Sequence, residues 1–502
     1  MKWNKPGKII FTSSFCFGVI IALVLFLIDP NIFTYFGDAT SRLVQSRYFG
    51  TSEKFWGEVH QLTWLPLPYI LIFPFTQIDI LLFTGLAGSI IGLTCHSLSS
   101  VYIYKSTSGL SFKKSTSVTI TLLFALNPAL LYISMTAMSE APAILFLILT
   151  IFNFNQYLLY RNKSQLMFIS IFAMLGSLCR YELWVLAVIF SLFNLFVSND
   201  KIFKRTLVSF LAISGIFAWL IWNQCIFSDY LYFLHADYYS SGWQAIYQPS
   251  GSLVKYDLIA SVKLFYIAIV SNNGIFLILI SIAGLFFFRK CNFYFLLFLL
   301  ILPLTIFLLM FSGKAEVSFY GMNFRYFLLS FPAILIFAGL AIDAAFRTKF
   351  HIPVLVIVCL LFFDNYIYFL VKPVPRVTSF HEASASYFST RYNSSMEICS
   401  ALKGIVTKEN ILFLTPSGVA HRLILISKIQ PERSEIGNIH NSKYQDISFI
   451  KKFDILIIFK KSLSDGSFFS SGKDVYLSAM KNSFEEVLNN EHYLLLKKKA
   501  EK

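Results

Sequence analysis

The stretch Ile9–Ile28, IIFTSSFCFGVIIALVLFLI, runs twenty residues without a charge, and Gly37-Asp38-Ala39-Thr40-Ser41-Arg42 follows soon after it. A charge-free apolar run of that length is enough to cross the hydrocarbon core of a bilayer. An Asp placed just beyond a first span sits where a membrane enzyme can keep a catalytic base. The basic segment 1–8 precedes a run too long for a typical cleaved signal, so the run reads as a retained first span.

Composition extends this reading to the whole chain. Of 502 residues, 56% are hydrophobic and 14% charged, where soluble domains carry about 25% charged residues. The chain therefore reads as an integral membrane protein. Apolar runs recur near 9–28, 80–104, 116–135, 139–159, 165–179, 183–197, 206–226, 269–288, 292–312, 324–345 and 351–371, which predicts about eleven transmembrane helices. Segment 65–78, LPLPYILIFPFTQI, carries Pro66, Pro68 and Pro74 and reads as a short dipping segment. The seven cysteines form no C-x-x-C pair, so neither a disulfide framework nor a thiolate metal site is expected.

The net charge of +15 has a membrane explanation, not a nucleic-acid one. Lys and Arg cluster in every second connection: Lys2, Lys5 and Lys8; Lys105, Lys113 and Lys114; Arg161 and Lys163; Lys201, Lys204 and Arg205; Arg289 and Lys290; Arg347 and Lys349. Basic loops face the cytoplasm, so the N-terminus is expected there, in a multi-pass protein of the plasma membrane. Asp38, Glu140, Arg180, Glu182, loop 228–257, Arg325 and the C-terminal tail then share the opposite side.

Beyond Lys372-Pro373-Val374-Pro375-Arg376 the pattern changes. Helix is expected over 395–408, 417–428 and 473–482. Strands are expected at 411–415 and 453–459, with a strand or strand pair over 484–497. The expected organisation is a mainly α transmembrane domain over 1–371 and a small extracytoplasmic α/β domain over 372–502.

Polar residues beside spans are costly and point to function. Asp38 and Arg42 stand four apart and share a helical face. Asp38 is the candidate base for an acceptor hydroxyl, and Arg47 is within reach of a phosphate. Glu140, in Met138-Ser139-Glu140-Ala141-Pro142, fits two roles. It is a first-turn acid after an N-cap serine, or a second carboxylate that orients an acceptor or binds a metal. Arg180 and Glu182 stand at i, i+2, which do not face each other on a helix, so separate partners are expected. Loop 228–257 holds Tyr and Trp residues, Trp243 among them, with Asp237, Gln244 and Gln248. Such a set suits a sugar-binding surface, and equally an aromatic interface loop. Arg325 in Asn323-Phe324-Arg325-Tyr326 suits bidentate phosphate contact. No Walker A sequence, no G-x-G-x-x-G after a strand and no H-E-x-x-H occurs.

With these motifs in place the chain resembles the GT-C superfamily of polyprenyl-phosphate-sugar-dependent glycosyltransferases, which includes protein O-mannosyltransferases and lipid A aminoarabinose transferases. The resemblance rests on Gly37-Asp38-Ala39-Thr40-Ser41-Arg42, Thr63-Trp64-Leu65-Pro66-Leu67-Pro68 with Phe73-Pro74-Phe75, Met138-Ser139-Glu140, Arg180-Tyr181-Glu182 and Asn323-Phe324-Arg325-Tyr326. It implies a lipid-linked monosaccharide donor, Asp38 as catalytic Asp, Glu140 as second acidic position, and Arg325 with Arg180 on the donor phosphate. Arg42, Glu182, Asp237, Trp243, Gln244 and Tyr326 complete the expected substrate-binding set. The first loop has Asp38-Ala39 where protein O-mannosyltransferases have Asp-Glu, which tells against a protein acceptor. The expected reaction moves a hexose, with mannose as first guess, to an acceptor hydroxyl on a glycolipid, glycan or protein. No cofactor is certain from the residues, and a divalent metal is possible but unsupported. A flippase or transporter of lipid-linked saccharides is the alternative class, and a non-catalytic polysaccharide assembly partner a third.

Overall fold

The computed structural model describes residues 5–34, 37–48, 63–198, 201–236, 254–287, 293–313, 324–347, 356, 359–364, 366, 397–402, 409–414, 417–436, 446–460 and 482–499. The chain forms two compact units. One takes Met1–Val24, Glu58–Leu71 and Ser89–Glu382, and the other takes Leu25–Gly57, Ile72–Gly88 and Ala383–Lys502.

Most of the described chain is helical. Among the described residues six helices are long and apolar enough to cross a membrane: Lys5–Ile28, Leu86–Gly109, Glu140–Tyr160, Ile202–Phe227, Tyr294–Phe311 and Arg325–Phe346. Two bent pairs, Lys114–Ala125 with Pro128–Ser134 (55°) and Leu258–Asn273 with Ile275–Leu285 (108°), raise this to eight when each pair is one span. The expected runs 165–179 and 183–197 are the shorter helices Ser164–Ser177 and Glu182–Val197, and segment 65–78 contains the ten-residue helix Leu67–Thr76. Most of the expected run 351–371 lies outside the described residues, as does the linker 372–376.

The run 269–288 is apolar throughout, yet the chain breaks inside it. Gly274 at φ +76° separates Leu258–Asn273 from Ile275–Leu285. Such a break survives in an apolar setting only when its freed backbone groups find partners. Asp364 Oδ2 accepts from the Phe276 N–H at 2.9 Å, at the start of the second helix. The break near Pro128 is served by Asn127. Its side chain accepts from the Leu130 N–H at 2.9 Å, and its Nδ2 donates to the Asn272 carbonyl at 3.0 Å. That second bond ties one break to the other. The His96 ring, stacked on Phe124, meets the Ala125 carbonyl at 3.0 Å.

Glycine sets the closest helix contacts, as expected where apolar burial gives helices no mutual preference over lipid. A Cβ on Gly92 would lie 2.1 Å from the Ser134 carbonyl oxygen, and one on Gly284 would lie 1.8 Å from the Phe337 carbonyl oxygen. Both neighbours are backbone, so they cannot rotate away. Gly284→Ala is expected to push Ile275–Leu285 off Phe331–Phe346 and cost about 1–3 kcal/mol. The check is the thermal unfolding midpoint in detergent; an unchanged midpoint would refute this contact.

The second unit carries a five-stranded sheet of order β2-β1-β3-β5-β4. The strands are β1 (Ile411–Leu414), β2 (Ser434–Ile436), β3 (Ile455–Phe459), β4 (Phe484–Asn489) and β5 (Tyr493–Lys498). β1 runs parallel to β2 and β3, and β5 runs antiparallel to β3 and β4. All four β1 residues are buried, as a central strand covered on both faces requires. Leu412, Leu414, Ile450, Phe453, Leu456, Ile458, Phe484 and Leu496 form one core. The expected strands at 411–415 and 453–459 and the pair within 484–497 are present, and the helix expected at 417–428 is Ser417–Ile426. Residues 473–481 lie outside the described residues. The three-residue edge strand β2 has no alternation long enough to read from sequence.

This unit also contains the helix Gly37–Arg47, which packs on Ser417–Ile426.

Candidate active site

In the first unit four charged side chains meet around Glu140. Glu140 opens the helix Glu140–Tyr160 and is fully buried. Its Oε1 accepts from Arg180 Nη1 at 2.7 Å and lies 3.1 Å from Arg325 Nε. Glu140 Oε2 is buried with no hydrogen-bond partner among the described residues. Arg180 also grips Glu182 in a fork, Nε to Oε2 at 3.2 Å and Nη2 to Oε1 at 2.7 Å. The i, i+2 reading that gave these two separate partners fails for a local reason. Arg180 is not helical; it precedes Glu182, the first residue of the helix Glu182–Val197, so helical spacing does not govern the pair.

Ser139 occupies the N-cap position expected of it but makes no cap hydrogen bond. Its Oγ instead accepts from Arg180 Nη1 at 3.2 Å. Arg180 therefore commits four hydrogen bonds to the protein, from a group with five N–H donors. Burial by itself would lower its proton affinity, but Glu182 and Glu140 raise it further, so Arg180 stays protonated.

Tyr326 completes the cluster. Its ring lies 4.7 Å from the Arg180 guanidinium carbon and 5.5 Å from that of Arg325. The ring face stabilises both cations. Two arginines and two glutamates cancel in formal charge, which is what lets four such groups stay buried. Five of the ten expected site residues are thus in one place: Glu140, Arg180, Glu182, Arg325 and Tyr326.

Tyr181 is a residue whose part the sequence does not reveal, because aromatic residues at span ends fit an interface belt equally well. Its hydroxyl donates to the Thr63 carbonyl at 2.5 Å and accepts from Trp219 Nε1 at 3.0 Å. Its ring stacks on Phe233 at 4.9 Å, and Leu65, Trp219 and Phe233 pack in the same cluster. The Leu67 N–H donates to the Leu178 carbonyl at 3.1 Å. The W-L-P-L-P segment is thereby bound to the turn that carries Arg180.

In the second unit, Asp38 lies in the first turn of Gly37–Arg47 and is half-buried, while residues 39–46 are all buried. A carboxylate there is favoured by the N-terminal end of the helix dipole. Arg42, one turn on, is buried. Arg47 does not present itself to a phosphate. Its Nε pairs with Glu432 at 2.9 Å, its Nη2 with Asp79 at 3.1 Å, and its Nη1 donates to the Thr76 carbonyl at 2.8 Å. Ser41 Oγ meets His421 Nδ1 at 2.8 Å. His421 is completely buried, and burial pushes its imidazole down to about 3.

That shift has a definite sign. From the ordinary value of 6.5 down to about 3, the unfolded chain binds a proton at His421 that the folded unit does not. Stability is full above the unfolded value and falls by about 1.4 kcal/mol per pH unit as pH drops through that window. Hydrogen exchange of the β1 amides from pH 7 to pH 4 is expected to show this slope in the wild-type chain. His421→Phe should lose it; equal slopes would refute the assignment.

Asp237, Trp243, Gln244 and Gln248 lie outside the described residues. His235 pairs with Asp229 at 2.7 Å on the surface. Among the described residues no group of three or more His, Cys, Asp or Glu is placed to hold a metal ion.

No family profile and no curated protein matches the sequence. Solved structures do match. The crystal structure of ArnT from Cupriavidus metallidurans bound to undecaprenyl phosphate superposes with a TM-score of 0.56 at 13% identity, over 97% of this chain and 98% of that one. The apo form of the same ArnT gives 0.50 at 12% identity, over 95% and 97%. At these identities the likeness establishes a shared fold along nearly the full length. The chain has the ArnT fold, with several helices suited to crossing a membrane and a small sheet.

Proposed function

We propose that this protein is a membrane glycosyltransferase that takes a sugar from a polyprenyl-phosphate donor. The observation that carries the reading is the Arg180–Glu140–Arg325 cluster capped by Tyr326. It gathers two buried guanidiniums on one buried carboxylate and one ring. Rigid, pre-oriented cations of this kind stabilise charge that builds on a leaving phosphate. The ArnT fold, seen there with undecaprenyl phosphate, supports the same donor class.

We assign the roles residue by residue. Arg325 contacts the donor phosphate. Arg180, with most of its donors committed, orients the cluster, and Glu140 holds both arginines in register. Asp38 accepts the proton of an acceptor hydroxyl as its oxygen attacks the anomeric carbon. The bond from that carbon to the phosphate oxygen breaks, and polyprenyl phosphate leaves with the electron pair. One displacement inverts the anomeric centre. The sugar is proposed to be a hexose, with mannose the first to test by analogy of fold. The reaction is placed on the outer face of the membrane.

The test is transfer from radiolabelled polyprenyl-phosphate hexoses in membranes with and without the chain, followed by NMR of the new linkage. Chain-dependent transfer with inversion is expected. A retained anomeric configuration would overturn the single displacement, and movement of intact donor across vesicles without transfer would favour a flippase.

A further inference from the structure

We infer that His421 and Glu432 are positioning residues for Asp38: they fix the helix that carries it, so that the C-terminal fold sets the geometry of the base. This rests on the assignment of Asp38 as the base. The helix Gly37–Arg47, GDATSRLVQSR, is polar and only eleven residues long. A helix of that length is marginal on its own, and little of this one is apolar. It is nevertheless buried from Ala39 to Ser46, so tertiary contacts must both form it and satisfy it.

Several of those contacts come from the other end of the sequence. His421 Nδ1 meets Ser41 Oγ at 2.8 Å, three residues on from Asp38. At the far end Glu432 pairs with Arg47 at 2.9 Å, and the Tyr48 hydroxyl donates to the Pro431 carbonyl at 2.9 Å. Asp79 joins the same end, pairing with Arg47 at 3.1 Å and accepting from Gln430 Nε2 at 3.0 Å. One contact near the start and a group at the end fix both the rotation and the axial position of the helix. Asp38 lies beyond the first of these points, half-exposed, where a reacting group is accessible. His421 Nε2 is buried and has no partner among the described residues, so the ring's only hydrogen bond there is the one to Ser41. A buried imidazole kept for one bond fits a residue whose part is to place that helix.

The experiment uses the purified full chain with Ser41→Ala, His421→Phe, the double variant and His421→Asn. With a polyprenyl-phosphate hexose as donor, each single change is expected to lower kcat by about 10- to 100-fold while the donor KM stays put. The double variant should be no worse than the poorer single, and His421→Asn should recover part of the loss. Hydrogen exchange across residues 37–47 should quicken in Ser41→Ala and His421→Phe. An unchanged kcat, or losses that multiply in the double variant, would overturn the proposal. If the wild-type chain transfers nothing from any donor, the functional reading fails. The exchange arm then decides the positioning claim: faster exchange upholds the hold on the helix, and exchange equal to wild type refutes it.

Discussion

Asp38→Asn is expected to reduce sugar transfer by about two to four orders of magnitude while leaving the chain folded. Asn keeps the size and most of the hydrogen bonding of Asp but cannot take a proton, and a positioned general base contributes roughly 10²–10⁴ in rate. Folding should survive because Asp38 sits at the half-exposed end of its helix, outside the buried stretch 39–46. The loss should fall on kcat. Steady-state transfer in detergent, with hydrogen exchange of residues 37–47 as a folding control, measures both. Transfer equal to wild type would remove Asp38 from the chemistry.

Glu140→Leu carries the largest expected effect on stability. Glu140 is fully buried between two guanidiniums, at 2.7 Å from Arg180 and 3.1 Å from Arg325. Leu is close in volume, so the change removes charge with little change in packing. It leaves two arginines against one glutamate in a dry site, and breaking a buried pair on one side costs about 3–5 kcal/mol. The expected result is a clear fall in unfolding midpoint together with lost transfer. Pairing it with Arg180→Met should recover part of the stability, because the site then holds one arginine and one glutamate. A single variant as stable as wild type would show that the charges do not depend on one another.

Much of this was legible in the residues. Long apolar runs marked the long helices, and short apolar stretches marked β1 and β3. Four of the five clustered site residues, Glu140, Arg180, Glu182 and Arg325, were singled out by the cost of a charge beside a span, and Tyr326 came only with the Asn323-Phe324-Arg325-Tyr326 motif. What sequence spacing missed was local geometry. Arg180 and Glu182 looked unable to meet because a helix was assumed, yet Arg180 precedes the helix and the fork closes. Ser139 stood where a cap was expected, but its hydroxyl bonds Arg180 instead. Apolarity concealed the break at Gly274, since a bend of 108° leaves composition unchanged when Asp364 and Asn127 satisfy the freed groups. Arg47 read as a phosphate ligand because its partners, Asp79 and Glu432, are distant in sequence. The Ser41–His421 contact spans 380 positions and leaves no periodic trace.

The central claim is that a bond to a lipid phosphate is broken. Its most direct measurement is the release of polyprenyl phosphate by the purified chain in vesicles, counted against sugar gained by the acceptor. The account predicts equal amounts from the wild-type chain and neither product from Asp38→Asn. Donor that reaches the other leaflet intact, with no polyprenyl phosphate released, would contradict it.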